Sequence, residues 1–193
     1  MTTIINNKYT YIKHDHTINK TIAFRPIELS TDLPIIHNWM NQNHVIPFWK
    51  LNFDLDKMRQ HLEKILAYKH QTSYIGYLDD VPISYWESYW AIDDVIAKCY
   101  PAEKYDQGIH LLIGEPEYLG KGYALPLLRA MTFYQLENIK TEKIVTEPDI
   151  RNAKMIHVFE KCGFVFQKPI ELPDKTGALM FCERENFLKK WQS

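Results

Sequence analysis

Residues 108–124, GIHLLIGEPEYLGKGYA, constrain the fold of this chain more than any other stretch. Ile109, Leu111 and Ile113 alternate with His110 and Leu112, the period-two pattern of a strand. Gly120 and Gly122 bracket Lys121, and an apolar stripe follows at Ala124, Leu127, Leu128 and Met131. That spacing lines one face of a helix. The predicted unit is a strand, a short turn, a glycine-spaced loop and a helix. Glycines let backbone approach a ligand closely, and a helix start offers unpaired N–H groups and the positive end of a dipole. Pro126 is compatible because it falls in the first helical turn. Such a loop suits phosphate or pyrophosphate, and an ordinary tight turn shows the same spacing. Two nucleotide-binding loops are absent. Leu125 stands where a dinucleotide fingerprint needs its third glycine, and no Gly-Lys-Ser/Thr follows the loop.

The 193 residues suit one domain, and a hydrophobic share of 46% supports a sizeable core. A net charge of −1 argues against nucleic acid or a membrane surface as partner. Cys99, Cys162 and Cys182 are too few and too scattered for a disulfide framework or a zinc site, so no metal is expected. No apolar run approaches the roughly twenty residues that span a bilayer. The N-terminal stretch lacks a charged segment followed by an apolar one, so no secretory signal is expected and the cytoplasm is the predicted setting.

Periodicity and punctuation then divide the chain. Residues 9–13 and 21–27 read as an opening hairpin, the first 20 residues forming a strand extension. Ser30 or Thr31 can cap a helix to about Met40, with Pro34 in its first turn. Residues 41–53 read as loop. Asp54 can cap a second helix with Leu55, Met58, Leu62 and Ile65 on one face. Residues 73–78 and 83–90 form a hairpin through Asp79-Asp80-Val81-Pro82, and 91–107 is an irregular, charged insertion. The helix of the glycine unit ends near Asn138, and 143–146 is a strand. A helix over 151–162 carries Met155, Val158, Phe159 and Cys162 as its stripe, with Gly163 as its stop. Residues 164–167 and 178–184 pair as closing strands linked through Pro169 and Pro173. Aromatics at Trp49, Trp86, Tyr89 and Trp90 fall outside the expected core, either lining a ligand site or packing strands. Strand runs with interspersed helices imply an α/β (α+β) domain, a mixed sheet covered on both faces.

That element order resembles the GNAT family of acyl-CoA-dependent N-acyltransferases. Two stretches carry the likeness: Glu117-Tyr118-Leu119-Gly120-Lys121-Gly122-Tyr123-Ala124, similar to the family's pyrophosphate loop, and NAKMIHVFEKCGF over 152–164, similar to its closing motif. The likeness spans roughly 21–187. It implies the GNAT fold, a mostly antiparallel twisted sheet, for one domain over 1–193. Glu117 replaces the family's usual Gln or Arg. Phe159 stands where many members have the Tyr proposed to protonate the leaving thiolate.

Within the family the chain looks most like the acyltransferases of hydroxamate siderophore biosynthesis. Trp39-Met40-Asn41, His44-Val45-Ile46-Pro47-Phe48-Trp49, Tyr89-Trp90-Ala91-Ile92-Asp93-Asp94, residues 106–114 and Glu147-Pro148-Asp149-Ile150-Arg151-Asn152 carry this narrower likeness. The implied co-substrate is acetyl-CoA or another acyl-CoA. The implied partner is a small amine or hydroxylamine, N-hydroxylysine or an N-hydroxy-diamine, with the protein as monomer or homodimer. Aminoglycoside 6′-N-acetyltransferases share the frame, with an Asp tending to stand at the position of His110. A non-catalytic acyl-CoA-binding module is the third reading, left open by Phe159.

The resemblance places chemistry at His110 and Asp149. His110, on the face opposite Ile109 and Leu111, can accept a proton as a neutral imidazole, or be a core histidine with a backbone partner. Asp149 can act as base or orient His110, or cap the next helix. Leu112, Ile113 and Gly114 would hydrogen-bond the pantetheine arm through their backbone. Amides from Tyr118 through Leu119, Gly120, Lys121, Gly122 and Tyr123 to Ala124, with the Lys121 charge, would meet the pyrophosphate, and Asn152 the coenzyme or its loop. Glu87, Asp93, Asp94 and Asp106, with Trp49 and Trp90, would surround the acceptor; a solvated charged loop and ordinary packing explain the same residues.

Overall fold

The alternating stretches assemble into a single eight-stranded sheet in the computed structural model, which describes residues 8–192. Residues 1–7 of the predicted extension lie outside that range. The strands are β1 (Tyr11–Asp15), β2 (Lys20–Pro26), β3 (Gln71–Leu78), β4 (Val81–Trp90), β5 (Gln107–Ile113), β6 (Lys143–Thr146), β7 (Val165–Glu171) and β8 (Thr176–Glu183). Their spatial order is β1-β2-β3-β4-β5-β6-β8-β7. Every neighbouring pair is antiparallel except β5 and β6.

Six helices cover both faces: α1 (Leu29–Met40), α2 (Ile46–Trp49), α3 (Leu55–Leu66), α4 (Ala124–Leu136), α5 (Ala153–Cys162) and α6 (Arg184–Trp191). Because strand side chains alternate, the central strands feed a core on each face. Ile22, Phe24, Trp86, Ile109 and Leu111 pack with Leu127, Met131, Phe159 and Phe187 from α4, α5 and α6. Ala23, Ile75, Tyr85 and Leu112 pack with Ile36, Trp39, Met58 and Leu62 from α1 and α3. The predicted mixed sheet with helices on both sides is what forms. Among the described residues no helix is long and apolar enough to cross a membrane.

Several local expectations are corrected. Neither Ser30 nor Thr31 caps α1: both lie inside it, and Pro34 sits in its second turn. Asp32 closes the start instead, accepting from the Glu28 amide at 2.7 Å and pairing with both Arg25 nitrogens at 2.7 Å. Asp54 does cap α3, accepting from the Lys57 amide at 2.8 Å, but Leu55 turns to solvent. The stretch 41–53 contains α2, and Pro169 lies within β7. The β3–β4 turn is only Asp79-Asp80, both with positive φ, a tight primed-type turn. Trp86 and Tyr89 are core residues. The helix predicted over 151–162 begins at Ala153, and α6 was not expected at all. That helix is held by Phe187 against Phe133 and by Arg184, which donates to the carbonyl of Leu136 at the end of α4 and to those of Asn138 and Thr141 beyond it.

The sheet opens between β5 and β6. Their ladder pairs only Gln107 with Ile144 and Gly108 with Val145. The Thr146 hydroxyl then donates to the Ile109 carbonyl at 2.9 Å, and the strands part. The Ala91 amide donates to Asp106 and the Gly114 amide to Ile83, at 2.9 and 2.8 Å. In an antiparallel ladder alternate residues bond the same neighbour, so residues 106, 108, 110, 112 and 114 face β4. Ile109, Leu111 and Ile113 therefore turn their N–H and C=O groups into the gap.

Gly114 lies flat against α1: a side chain there would collide with the Trp39 ring, whose Nε1 donates to Glu115 at 2.8 Å. Overpacking costs about 1–3 kcal/mol. Gly114→Ala is expected to lower Tm by roughly 3–10 °C in thermal unfolding, on the scale for a domain of this size.

Candidate active site

The loop after β5 is built from conformation rather than side chains. Gly120 and Gly122 sit at φ +70° and +81°, with open space where a Cβ would stand. Left-handed backbone of this kind favours glycine. Tyr123 precedes α4 without a side-chain cap, leaving the first amides of the helix unsatisfied by the chain. Beside this loop lies a cavity of about 640 Å³. Leu112, Ile113, Tyr118, Leu119, Gly120, Gly122, Tyr123, Ala124 and Asn152 all line it, as does Leu111.

Three residues predicted for this side behave otherwise. The Gly114 amide is taken by Ile83, and by register the Leu112 amide faces Tyr85 of β4. The backbone groups turned to the gap are those of Leu111 and Ile113; the Ile113 carbonyl meets His44 Nε2 at 2.8 Å. Lys121 is exposed and does not line the cavity. Asn152 caps α5, accepting from the Met155 amide at 3.2 Å, while also facing the cavity.

A second cavity, of about 380 Å³, shares Phe48, Trp49, Leu111, Asn152 and Met155 with the first. His110, Glu87, Asp94, Asp149, Phe159 and Lys175 are among its walls. His110 stands on β5 beside Leu111, on the α1/α3 face of the sheet as its parity predicted. Its Nδ1 lies 3.0 Å from Glu87 Oε2, and its Nε2 makes a very short contact with Glu147 Oε1. Each carboxylate has a second donor. Tyr85 donates to Glu87 Oε1 at 2.9 Å, and Tyr89 to Glu147 Oε2 at 3.0 Å. Lys175 Nζ lies 3.6 Å from Glu147 Oε1.

Imidazole held between two carboxylates donates from both nitrogens, which is the imidazolium form. Burial opposes that charge, but Glu147 and Glu87 outweigh it and raise the His110 pKa to about 10. Glu147 is likewise pushed up by burial and pulled down further by His110, Lys175 and Tyr89, to about 2. His110 is thus not the neutral proton acceptor that its position alone suggests. Burial also holds the Tyr85 and Tyr89 phenols well above their ordinary range, so both remain donors.

A raised histidine stabilises the folded state below its unfolded pKa of 6.5, and that share is lost as pH rises towards 10. A depressed Glu147 contributes above 4.5, and its share is lost as pH falls towards 2. Urea titrations between pH 6.5 and 10 are expected to show falling stability in the wild type and a smaller fall in His110→Gln.

Asp149 does not pair with His110. Its carboxylate accepts from the Arg151 amide and Nε at 2.9 Å and from Nη2 at 2.6 Å. Those bonds lower its pKa to about 2 and shape the entry to α5, although it still faces the second cavity. The carboxylate that reaches His110 is Glu147, two residues earlier. Three residues predicted to surround an acceptor lie elsewhere. Trp90 packs against Tyr105, and Asp93 is exposed in the turn after β4, off the cavity wall. Asp106 is buried, accepting from Tyr100 at 2.9 Å and the Glu103 amide at 3.0 Å. Trp49 and Glu87 do line the cavity, Trp49 in T-shaped contact with Tyr85 and His110. Asp94 keeps one oxygen on the Ile96 amide at 3.0 Å.

Two cavities thus meet at the parted strand pair, one under a glycine loop and one beside charged groups. Residues 28–172 match the family model for the acetyltransferase (GNAT) domain. The chain belongs to the GNAT acetyltransferase family. It is 33% identical over 178 residues to the N(6)-hydroxylysine O-acetyltransferase of Escherichia coli, covering 92% of this chain and 56% of that protein. It therefore spans little more than half of that relative. It is 33% identical over 188 residues to the N-hydroxyputrescine acetyltransferase of Acinetobacter baumannii, covering 95% and 86%. A crystal structure of an aminoglycoside acetyltransferase with coenzyme A superposes with a TM-score of 0.80 at 28% identity, covering 89% of this chain and 99% of that one.

Proposed function

We propose that this protein is an acyl-CoA-dependent N-acyltransferase, a single catalytic domain that acetylates an N-hydroxylated amine to a hydroxamate in siderophore biosynthesis. The observation that carries the reading is the junction at Leu111, where the cavity under the glycine loop meets the cavity beside His110. The names of the E. coli and Acinetobacter relatives support the acceptor class, and the coenzyme A complex supports the donor. A hydroxamate offers two hard oxygens to Fe(III), which suits an iron carrier. The setting is the cytoplasm, where acyl-CoA is made.

The amides of 118–124 and the start of α4 hold the pyrophosphate. The pantetheine arm runs along the open edge of β5. An N–H of Leu111 or Ile113 polarises the thioester carbonyl. The acceptor nitrogen attacks from the second cavity, forming the N–C bond as the C–S bond breaks. Positive charge develops on that nitrogen. The carboxylates of Glu87 and Glu147, whose counterions are His110 and Lys175, stabilise that developing charge electrostatically. The nitrogen gives up its proton, which ends on the departing sulfur. Phe159 has no proton to give there.

Incubation with acetyl-CoA and N-hydroxylysine or an N-hydroxy-diamine is expected to yield a base-stable product that colours with Fe(III) and gains one acetyl group by mass. Aminoglycoside 6′-N-acetylation is the second reading, favoured by the likeness to the aminoglycoside enzyme. His110 in place of an Asp counts against it.

A further inference from the structure

We infer that this site selects its acceptor by basicity: it acylates a nitrogen that arrives uncharged and passes over an ammonium of the same shape. The inference rests on the proposed N-acyltransferase reading and adds the physical ground of its specificity.

The argument is an inventory of proton acceptors around the reacting position. Both nitrogens of His110 face carboxylates. Glu87 has one oxygen on His110 and the other on Tyr85. Glu147 has one oxygen on His110 and near Lys175, and the other on Tyr89. Both Asp149 oxygens are bound by Arg151. Groups facing His110 therefore come from β4 (Glu87, Tyr89), from the end of β6 (Glu147) and from the β7–β8 hairpin (Lys175), with Asp94 and His61 further round the cavity. Every carboxylate oxygen next to His110 already accepts from a donor. A group so engaged makes a poor base, because taking a proton breaks a buried charged hydrogen bond.

Outside that network the cavity also holds Asp94, with only one oxygen on the Ile96 amide, Asp174, and the imidazole of His61. Burial holds the His61 pKa down, so it is a neutral imidazole in the same cavity. It stands on α3 with its ring edge-on to Phe53, and it does not line the donor cavity.

The consequence is quantitative. An alkylammonium with a pKa of about 10.4 is uncharged in only about one molecule in 10³ at pH 7. N-hydroxylation withdraws electrons and leaves the nitrogen largely uncharged at that pH. Basicity alone then separates the hydroxylamine from its parent amine by roughly 10³-fold, with no contact to the hydroxyl oxygen.

The test compares kcat/KM from pH 6.5 to 8.5 for three acceptors of one length: the hydroxylamine, the parent amine, and a difluorinated amine. In the last, two fluorines on the carbon β to the nitrogen lower its basicity without adding a hydroxyl. The expected result is a flat profile for the hydroxylamine and a tenfold rise per pH unit for the parent amine. At pH 7.5 the difluoroamine should turn over within about tenfold of the hydroxylamine. His61→Gln should leave the three ratios unchanged. A difluoroamine as poor as the parent amine would overturn the inference, since the hydroxyl would then be what is read. A flat profile for the parent amine, or its loss of turnover in His61→Gln alone, would also overturn it by revealing a working base. Turnover of the difluoroamine with none of the hydroxylamine would uphold the basicity rule and sink the hydroxamate reading. No turnover of any of the three sinks both.

Discussion

Glu147→Gln should lower kcat by about 10²–10³-fold while leaving KM for acyl-CoA within about twofold. The range is the one found when a single preorganised electrostatic group is removed from a site. The substitution keeps the shape of the side chain and its reach to Tyr89, but removes one of the two carboxylate charges that balance His110 and Lys175. The cofactor cavity is untouched, because Glu147 does not line it. Glu87→Gln should act in the same direction. The double variant should lose less than the product of the two, since both act through one imidazolium. Asp149→Asn should change kcat by less than about fivefold, because its carboxylate is bound to Arg151 and not to the cluster. Steady-state kinetics at saturating acyl-CoA decides. A near-normal Glu147→Gln beside a crippled Asp149→Asn would restore the His110–Asp149 pairing that the family resemblance implied.

The second large effect belongs to the donor loop. Gly120→Val and Gly122→Val should each raise KM for acyl-CoA by roughly five- to thirtyfold. A side chain held in left-handed backbone costs about 1–2 kcal/mol, and about 1.4 kcal/mol is tenfold in affinity. Both glycines have open space around them, so neither substitution meets a clash; the free loop relaxes out of the left-handed conformation, and the cost falls on ligand binding rather than on Tm. The effect reports backbone shape and the approach of a ligand. Lys121→Ala should alter KM by less than about threefold, because its ammonium stands off the cavity wall and the amides carry the contact.

What could be read without coordinates followed from periodicity. β5 was legible because Ile109, Leu111 and Ile113 belong to one core face, which fixes His110 on the other. α5 was legible because Asn152, its apolar stripe and Gly163 agree on one helix. α6 escaped because Arg184–Trp191 is short, largely charged and uncapped. Its Phe187, Leu188 and Trp191 were the available signal. At the site the limit was different. Glu147 and Asp149 are equivalent carboxylates in sequence, and only the course of the chain through Pro148 decides which one meets His110. Glu147 was within reach as one half of a Glu-Pro-Asp segment at a strand end. Asp106 and Trp90 looked like acceptor contacts because a charged, aromatic insertion can fold towards or away from a cavity. Tyr100 and Tyr105 draw them away. Backbone direction along β5 was open to the same error, since the predicted Leu112 and Gly114 differ from Leu111 and Ile113 only by the parity of the β4 ladder.

The most direct test of the central claim is thiol release from acetyl-CoA with three acceptors in parallel: N-hydroxylysine or an N-hydroxy-diamine, the parent amine, and an aminoglycoside. The account predicts turnover with the hydroxylamine, exceeding that with the parent amine by about 10²-fold or more near pH 7, and little with the aminoglycoside. Preferred turnover of the aminoglycoside, or equal turnover of amine and hydroxylamine at neutral pH, would contradict it.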